Sequence, residues 1–222
     1  MSTLTLSNVS YTYKNAANPA VSGVSCTFEA DTLYAIVGPS GSGKSTLLSM
    51  LAGLDLPGGG EIRIGEENLT KLDLDKYRRE KISMIFQAYH LLPLLTVLEN
   101  VCYPLELTGI TPKEARLKAA KLLECVGITK EQMKRFPGKL SDGEQQRVAI
   151  ARSLVTGARI ILADEPTGNL DIANTKNIME ILQKLAHEEG YCVIVVTHDL
   201  DIAEMADMIY QMRDGILTEL WR

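Results

Sequence analysis

Nine residues of this 222-residue chain, Gly38 to Thr46 in the order GPSGSGKST, have the types and spacing that hold a phosphate chain. They match G-x-x-x-x-G-K-[ST], in which successive backbone N–H groups and the positive end of the following helix surround a multiply charged group. Gly38, Gly41 and Gly43 remove side chains that would block that approach. Lys44 is then placed against the β- and γ-phosphates, the Ser45 hydroxyl offers a ligand to magnesium, and Ser40, Ser42 and Thr46 complete the cradle. A Gly/Ser-rich turn matching these positions by chance arises in on the order of one chain in a hundred of this length at ordinary glycine usage. Nucleotide binding is therefore the favoured reading of the loop.

A second cluster lies far downstream, where RIILADE (Arg159 to Glu165) reads as an apolar strand ending in two acids. Beside a phosphate loop, Asp164 can hold magnesium through water, and Glu165 can orient and deprotonate an attacking water. Paired acids after a strand are common by themselves. Their place downstream of a phosphate loop is what makes them a candidate hydrolytic pair.

These groups need elements to hold them. TLYAIV before the loop has the pattern of a short buried strand, and STLLSMLAG after it has helical spacing ending at Gly53. From Leu4 to Phe28 apolar and polar residues alternate, with turn formers between Asn15 and Pro19, as in a half-buried antiparallel sheet. EIRI (Glu61 to Ile64) and ISMIF (Ile82 to Phe86) read as further strands. From about Ala88 to Gly138 the chain becomes rich in Leu, Lys and Glu with helical period, broken at Pro93, Pro104, Pro112 and Pro137. RIILA and YCVIVV are buried strands separated by the helical DIANTKNIMEILQKLAHEE, and Asp214-Gly215 closes a final hairpin. The expected architecture is an α/β nucleotide-binding core interrupted by a helical subdomain.

Bulk properties narrow the partners. A net charge of -5 argues against nucleic acid, which favours a basic face. No apolar run is long enough to cross a bilayer, and the polar start MSTLTLSNVS reads as neither a signal peptide nor an anchor. Cys26, Cys102, Cys125 and Cys192 are scattered without a C-x-x-C, so a reduced cytoplasmic protein is expected, with neither a zinc site nor a disulfide framework.

LSDGEQQRVAIARSLV (Leu140 to Val155), with Tyr13, Gln87, the GNLD of Gly168 to Asp171, and His198 after YCVIVVT, makes the whole chain resemble an ABC-type ATPase cassette. The six motifs stand in the family's order, and the N-K-x-D of GTPases is missing. The resemblance implies a single P-loop ATPase domain over 1–222: a mostly parallel sheet flanked by helices, an N-terminal antiparallel β subdomain, and an inserted helical subdomain. The ATP-binding core would comprise 1–87 and 159–222, and the helical subdomain with the signature 88–158. It implies ATP and magnesium as ligands. Tyr13 would stack on adenine, with neighbouring Tyr11 the rival; Gln87 would reach magnesium or the attacking water; His198 would contact the γ-phosphate. Two copies would close head to tail. Ser141 and Gly143 of one chain, with Glu144 beside them, would cap the γ-phosphate held by the other, and Asp171 would lie at the seam.

The family's usual signature is L-S-G-G-Q, whereas here Asp142 and Glu144 hold the third and fifth positions. Ser141 and Glu144 also read as a capping box that opens a helix. An acid about 5 Å from a phosphate costs roughly 3 kcal/mol per unit charge at an effective dielectric near 20, so Asp142 is expected to weaken ATP-driven closure unless it points away.

The resemblance implies the motor of a membrane transporter or related transmembrane machine, peripheral on the inner face of the membrane. Leu91, Leu92, Leu94 and Leu95, near Tyr103, would either receive the permease-type partner or fill the helical subdomain. ADEPTGNLD and FQAYHLLPLLTVLENV are similar to the lipoprotein-releasing, macrolide-exporting and cell-division group, with amino-acid importers the alternative. A soluble relative acting on DNA or ribosomes fits less well, since only about fifty residues separate Gln87 from Leu140, too few for a long coiled coil.

Overall fold

The computed structural model describes residues 3–220. In chain order the first half contains β1 (Leu4–Tyr11), β2 (Val21–Phe28), β3 (Thr32–Val37), α1 (Lys44–Leu51), β4 (Gly59–Ile64), β5 (Glu67–Asn68), α2 (Leu74–Glu80) and β6 (Ile82–Phe86). Then follow α3 (Val97–Leu107), α4 (Pro112–Cys125), α5 (Asp142–Leu154), β7 (Ile160–Asp164), α6 (Ile172–His187), β8 (Cys192–Thr197), α7 (Leu200–Ala203), β9 (Met208–Arg213) and β10 (Ile216–Leu220).

The strands form two sheets. One has the order β2-β1-β4-β5 and is antiparallel; the other has the order β10-β9-β3-β8-β7-β6 and is parallel except for its β10 edge. Parallel pairing sets the C-terminal ends of four strands side by side: Val37 pairs with Thr197, Asp164 with Val196, and Phe86 with Asp164. The loops that leave those ends begin with Gly38, His198, Glu165 and Gln87. Residues as distant in sequence as Lys44 and His198 are thus gathered at one edge, where open α/β sheets bind ligands.

Both faces of the parallel sheet are covered, which is why its central strands are almost continuously apolar. Leu33, Ala35 and Val37 point to one side, into a cluster with Val101, Leu123, Val148, Ile178 and Leu182. Tyr34 and Ile36 point to the other, packing with Leu4, Phe28, Leu47, Leu51 and Ile62. Burial of each of the larger aliphatics contributes about 1.5–3 kcal/mol. The segment carrying α3, α4 and α5 therefore shares a core with the sheet rather than standing on its own.

Of the four prolines expected to break helices, Pro112 opens α4, Pro137 opens a short 3-10 turn, and Pro93 lies in a loop. Pro104 departs from expectation, for α3 runs through it. Only three residues follow it in that helix, and buried Val101, Cys102 and Leu105 hold the turn on both sides against the lost hydrogen bond. Among the described residues no helix is long and apolar enough to cross a membrane.

Candidate nucleotide site

The loop from β3 to α1 is shaped by contacts that forbid side chains. Gly43 has φ 106, and a Cβ there would fall 2.1 Å from the Ala20 carbonyl oxygen; one on Gly38 would fall 2.1 Å from that of Met212. Gly43→Ala should therefore distort the loop, costing on the order of 2–4 kcal/mol. Thermal unfolding checks this, and an unchanged Tm would contradict it. α1 begins at Gly43 without a side-chain cap, so its first N–H groups remain available to an anion. Lys44 is 7% exposed and arches back over the loop, its Nζ donating to the carbonyls of Gly38 (2.7 Å) and Pro39 (3.0 Å). The Ser42 hydroxyl is buried without a hydrogen-bond partner, a donor that a phosphate oxygen could satisfy.

A cavity of about 740 Å³ opens over this loop, lined among others by Tyr13, Ser40, Gly41, Lys44, Ser45, Thr46, Gln87, Glu165 and His198. Asn18, Pro19 and Ala20 also line it, contributions that sequence reading treated only as a turn. The lining suits a triphosphate: backbone donors and an ammonium group from the loop, together with an aromatic ring. A magnesium ion also finds suitable oxygens, because Ser45 Oγ donates to Asp164 Oδ1 at 3.3 Å. Among the described residues no group of three or more His, Cys, Asp or Glu side chains is placed to hold a metal ion.

Burial is the main cause that pushes the Asp164 carboxyl above its ordinary range; the charge of Glu165 adds to it, while the Ser45 hydrogen bond and Lys44 oppose it. A carboxyl raised in the folded state binds protons more readily there than in the unfolded chain. This group therefore stabilises the metal-free fold as pH falls through the folded pKa, and that contribution is lost as pH rises. Asp164→Asn should raise the metal-free Tm at neutral pH while abolishing magnesium-dependent turnover. Thermal unfolding with and without magnesium would show both effects, and a lower metal-free Tm would contradict the account.

Glu165 follows β7 in the left-handed region, with φ 49. Its N–H donates to the Val196 carbonyl at 2.9 Å, which fixes the turn that swings its carboxylate to the cavity. Oε1 lies 2.9 Å from Nδ1 of His198, the first residue beyond β8. Gln87 exchanges contacts with Asn169, whose Nδ2 donates to the Gln87 carbonyl at 3.2 Å. Gly168 leaves room for this, since a Cβ there would lie 2.7 Å from Gln87 Nε2. Asn169 is a partner that sequence reasoning passed over, although it stands inside GNLD.

The two candidate tyrosines occupy different places. Tyr13 lines the cavity, about half exposed, with its hydroxyl 3.0 Å from Thr46 Oγ1. Tyr11 packs edge-on against it, ring centroids 5.0 Å apart, and donates to Asp55 at 3.4 Å; Asp55 also accepts from Ser49 Oγ at 2.7 Å. Tyr11 thus supports Tyr13 from outside the cavity.

Ser141, Gly143, Glu144 and Asp171 do not line this cavity. Ser141 caps α5, its Oγ accepting from Glu144 N–H at 3.3 Å while Glu144 accepts from Ser141 N–H at 2.7 Å and from Gln132. A hydroxyl that accepts from the helix still has its own proton to donate, so capping and phosphate contact can coexist at Ser141. The Glu144 carboxylate is held low by these hydrogen bonds, the Ser141 backbone donor first. Asp142 lies beside the buried Tyr89 hydroxyl. Burial first, then Asp142, pushes that phenol up to about 12. Arg152, at the far end of α5, donates to the carbonyls of Tyr89 (2.9 Å) and His90 (2.6 Å), so the loop after Gln87 lies along the helix. The other two histidines lie away from the cavity: His90 packs on Phe86, and His187 Nε2 lies 2.8 Å from the Asp207 oxygen that accepts from Leu33 N–H.

Residues 21–168 match the family model described as ABC transporter. The chain is an ATPase cassette of the ABC transporter family. It is 41% identical over 98% of its length to the uncharacterized ABC transporter ATP-binding protein YclH of Bacillus subtilis (strain 168), covering 96% of that protein. It is also 47% identical, over 86% of its length, to the macrolide export ATP-binding/permease protein MacB of Neisseria meningitidis serogroup B, of which it spans only 30%. Among solved structures, the dimeric bacterial ABC transporter cassette MJ0796 superposes with a TM-score of 0.87 at 40% identity, covering 99% of both chains. The same cassette is known as a post-hydrolysis dimer bound to ADP and Pi, at 39% identity and a TM-score of 0.87 over 99% of both chains. The expected cassette fold is therefore the observed one: a largely parallel core, an antiparallel β sheet, and helices between β6 and β7.

Proposed function

We propose that this cassette hydrolyses magnesium-bound ATP at two composite sites between head-to-tail copies, and that closure of the pair drives a permease-type membrane partner of the exporter or lipoprotein-releasing kind. The observation that carries the chemistry is the convergence of Lys44, Ser45, Gln87, Asp164, Glu165 and His198 on one strand-end edge. Lys44 leaves its loop carbonyls to take the β- and γ-phosphates. Tyr13 stacks on adenine once its hydroxyl releases Thr46. Ser45 and Asp164, with Gln87, would hold a magnesium ion, which would supply charge neutralisation to the phosphate oxygens.

Glu165 accepts the proton of the attacking water, and His198 steadies both that carboxylate and the γ-phosphate. Ser141 and Glu144, with the buried Gly143 between them in sequence, are kept for a partner's nucleotide, in keeping with their place outside the cavity of their own chain. Residues 88–158 form the helical subdomain of the cassette, beside an ATP-binding core of 1–87 and 159–222. The MacB similarity supports the exporter-type partner, and exposed Leu92, Leu94, Tyr103 and Leu107 offer it an apolar surface. The cassette then sits on the cytoplasmic face of the membrane through that partner, without nucleic acid.

Affinity capture of the tagged chain from its own detergent-solubilised membranes, followed by ATPase assay, tests this reading. A copurifying permease-type protein that changes turnover supports it. Capture of ribosomes, or stimulation by DNA or RNA instead, would overturn it.

A further inference from the structure

Gln146 lies in the second turn of α5 and is wholly buried, 0% exposed. Its two amide atoms fare differently. Nε2 donates to the Pro166 carbonyl at 2.7 Å, from 20 positions away in sequence, whereas Oε1 is buried without a hydrogen-bond partner. A carbonyl only accepts, so the amide must face Pro166 with its nitrogen. A buried amide with one end orphaned is destabilising, and a methionine of similar length would avoid that cost. The glutamine is therefore explained by the one bond it makes.

That bond falls on the turn that aims the general base. Glu165 holds φ 49, a conformation that is strained for a residue with a side chain and persists only where its surroundings impose it. On the near side its N–H donates to the Val196 carbonyl at 2.9 Å, and its own carbonyl accepts from Gly168 N–H at 3.1 Å. On the far side stands Pro166, which has no N–H, so its carbonyl is the only backbone group by which that residue can be tied. Gln146 ties it. We infer that Gln146 is a positioning residue for hydrolysis: through the Pro166 carbonyl it holds the strained turn that presents the Glu165 carboxylate to the attacking water. The inference rests on the reading of Glu165 as general base, and it concerns one site within one protomer. Gln146 does not line the nucleotide cavity, so its effect must pass through Glu165 rather than through ATP affinity.

The experiment measures magnesium-ATP turnover by the full chain in wild type, Gln146→Met, Gln146→Asn, Glu165→Gln and the double variant that combines Gln146→Met with Glu165→Gln. Met keeps the length and removes the donor, while Asn keeps the amide but withdraws it by one methylene. Both should lower kcat roughly 10- to 100-fold, as lost alignment at a reacting group does, with KM held within about twofold of wild type. In single turnovers of the Glu165→Gln background, Gln146→Met should slow hydrolysis no further, because no base is left to aim. A loss that came only from loosened packing would multiply in both backgrounds. Equal fractional losses with and without Glu165 therefore overturn the inference, as does wild-type kcat in both single variants. A raised KM at unchanged kcat also overturns it, by placing Gln146 in nucleotide binding. Undiminished turnover by Glu165→Gln contradicts the general-base reading itself, whatever Gln146 does.

Discussion

Glu165→Gln is expected to bind ATP and turn it over at least about a hundredfold more slowly, since general-base catalysis contributes roughly 10²–10⁴-fold. The change is nearly isosteric. It keeps the side-chain length, the partner at His198 Nδ1 and the backbone bond to Val196, and removes only the capacity to take a proton. The phosphate cradle around Lys44 is untouched, so binding should persist and the nucleotide-bound dimer should outlive that of wild type. Single-turnover kinetics and an equilibrium binding measurement separate the two effects. Undiminished turnover would remove Glu165 from its role, and lost binding would mean that the turn at φ 49 had collapsed.

Lys44→Ala should weaken ATP binding as well as turnover. Charge-assisted hydrogen bonds contribute about 1.5–3 kcal/mol each, so losing the ammonium group is expected to cost about 2–4 kcal/mol, or roughly 30- to 1,000-fold in Kd. The same variant strips the Gly38 and Pro39 carbonyls of their donor in the nucleotide-free protein, so the loop itself should loosen. Titration calorimetry with ATP measures the first effect and hydrogen exchange over residues 38–43 the second. Retained affinity would place the nucleotide in a different pocket.

Most of this site was legible in the chain because its parts obey local rules. A phosphate loop announces itself by glycine spacing, and buried parallel strands by apolar runs. The register that sets Phe86, Asp164 and Val196 side by side follows once those strands are parallel. What escaped was short or long-range. α2 is only seven residues, capped by Asp73 in a polar stretch, too brief for a periodic pattern to show. Pro104 suggested a break that tertiary packing overrode. Asn169 and Gln146 are ordinary loop and helix residues by type, and only folding shows that one holds Gln87 and the other the Pro166 carbonyl. The neighbour of Asp142, Tyr89, stands 53 positions earlier in the chain, so no local pattern could show it.

Helix α1 is grasped at two heights by the same strand end. Tyr13 meets Thr46 in its first turn, and Tyr11 reaches Ser49 through Asp55 near its last. The Tyr13 grip belongs to the nucleotide-free protein, so a base that recruited the ring would have to undo it, while the second grip, through Tyr11 and Asp55, would still moor the strand end to the helix.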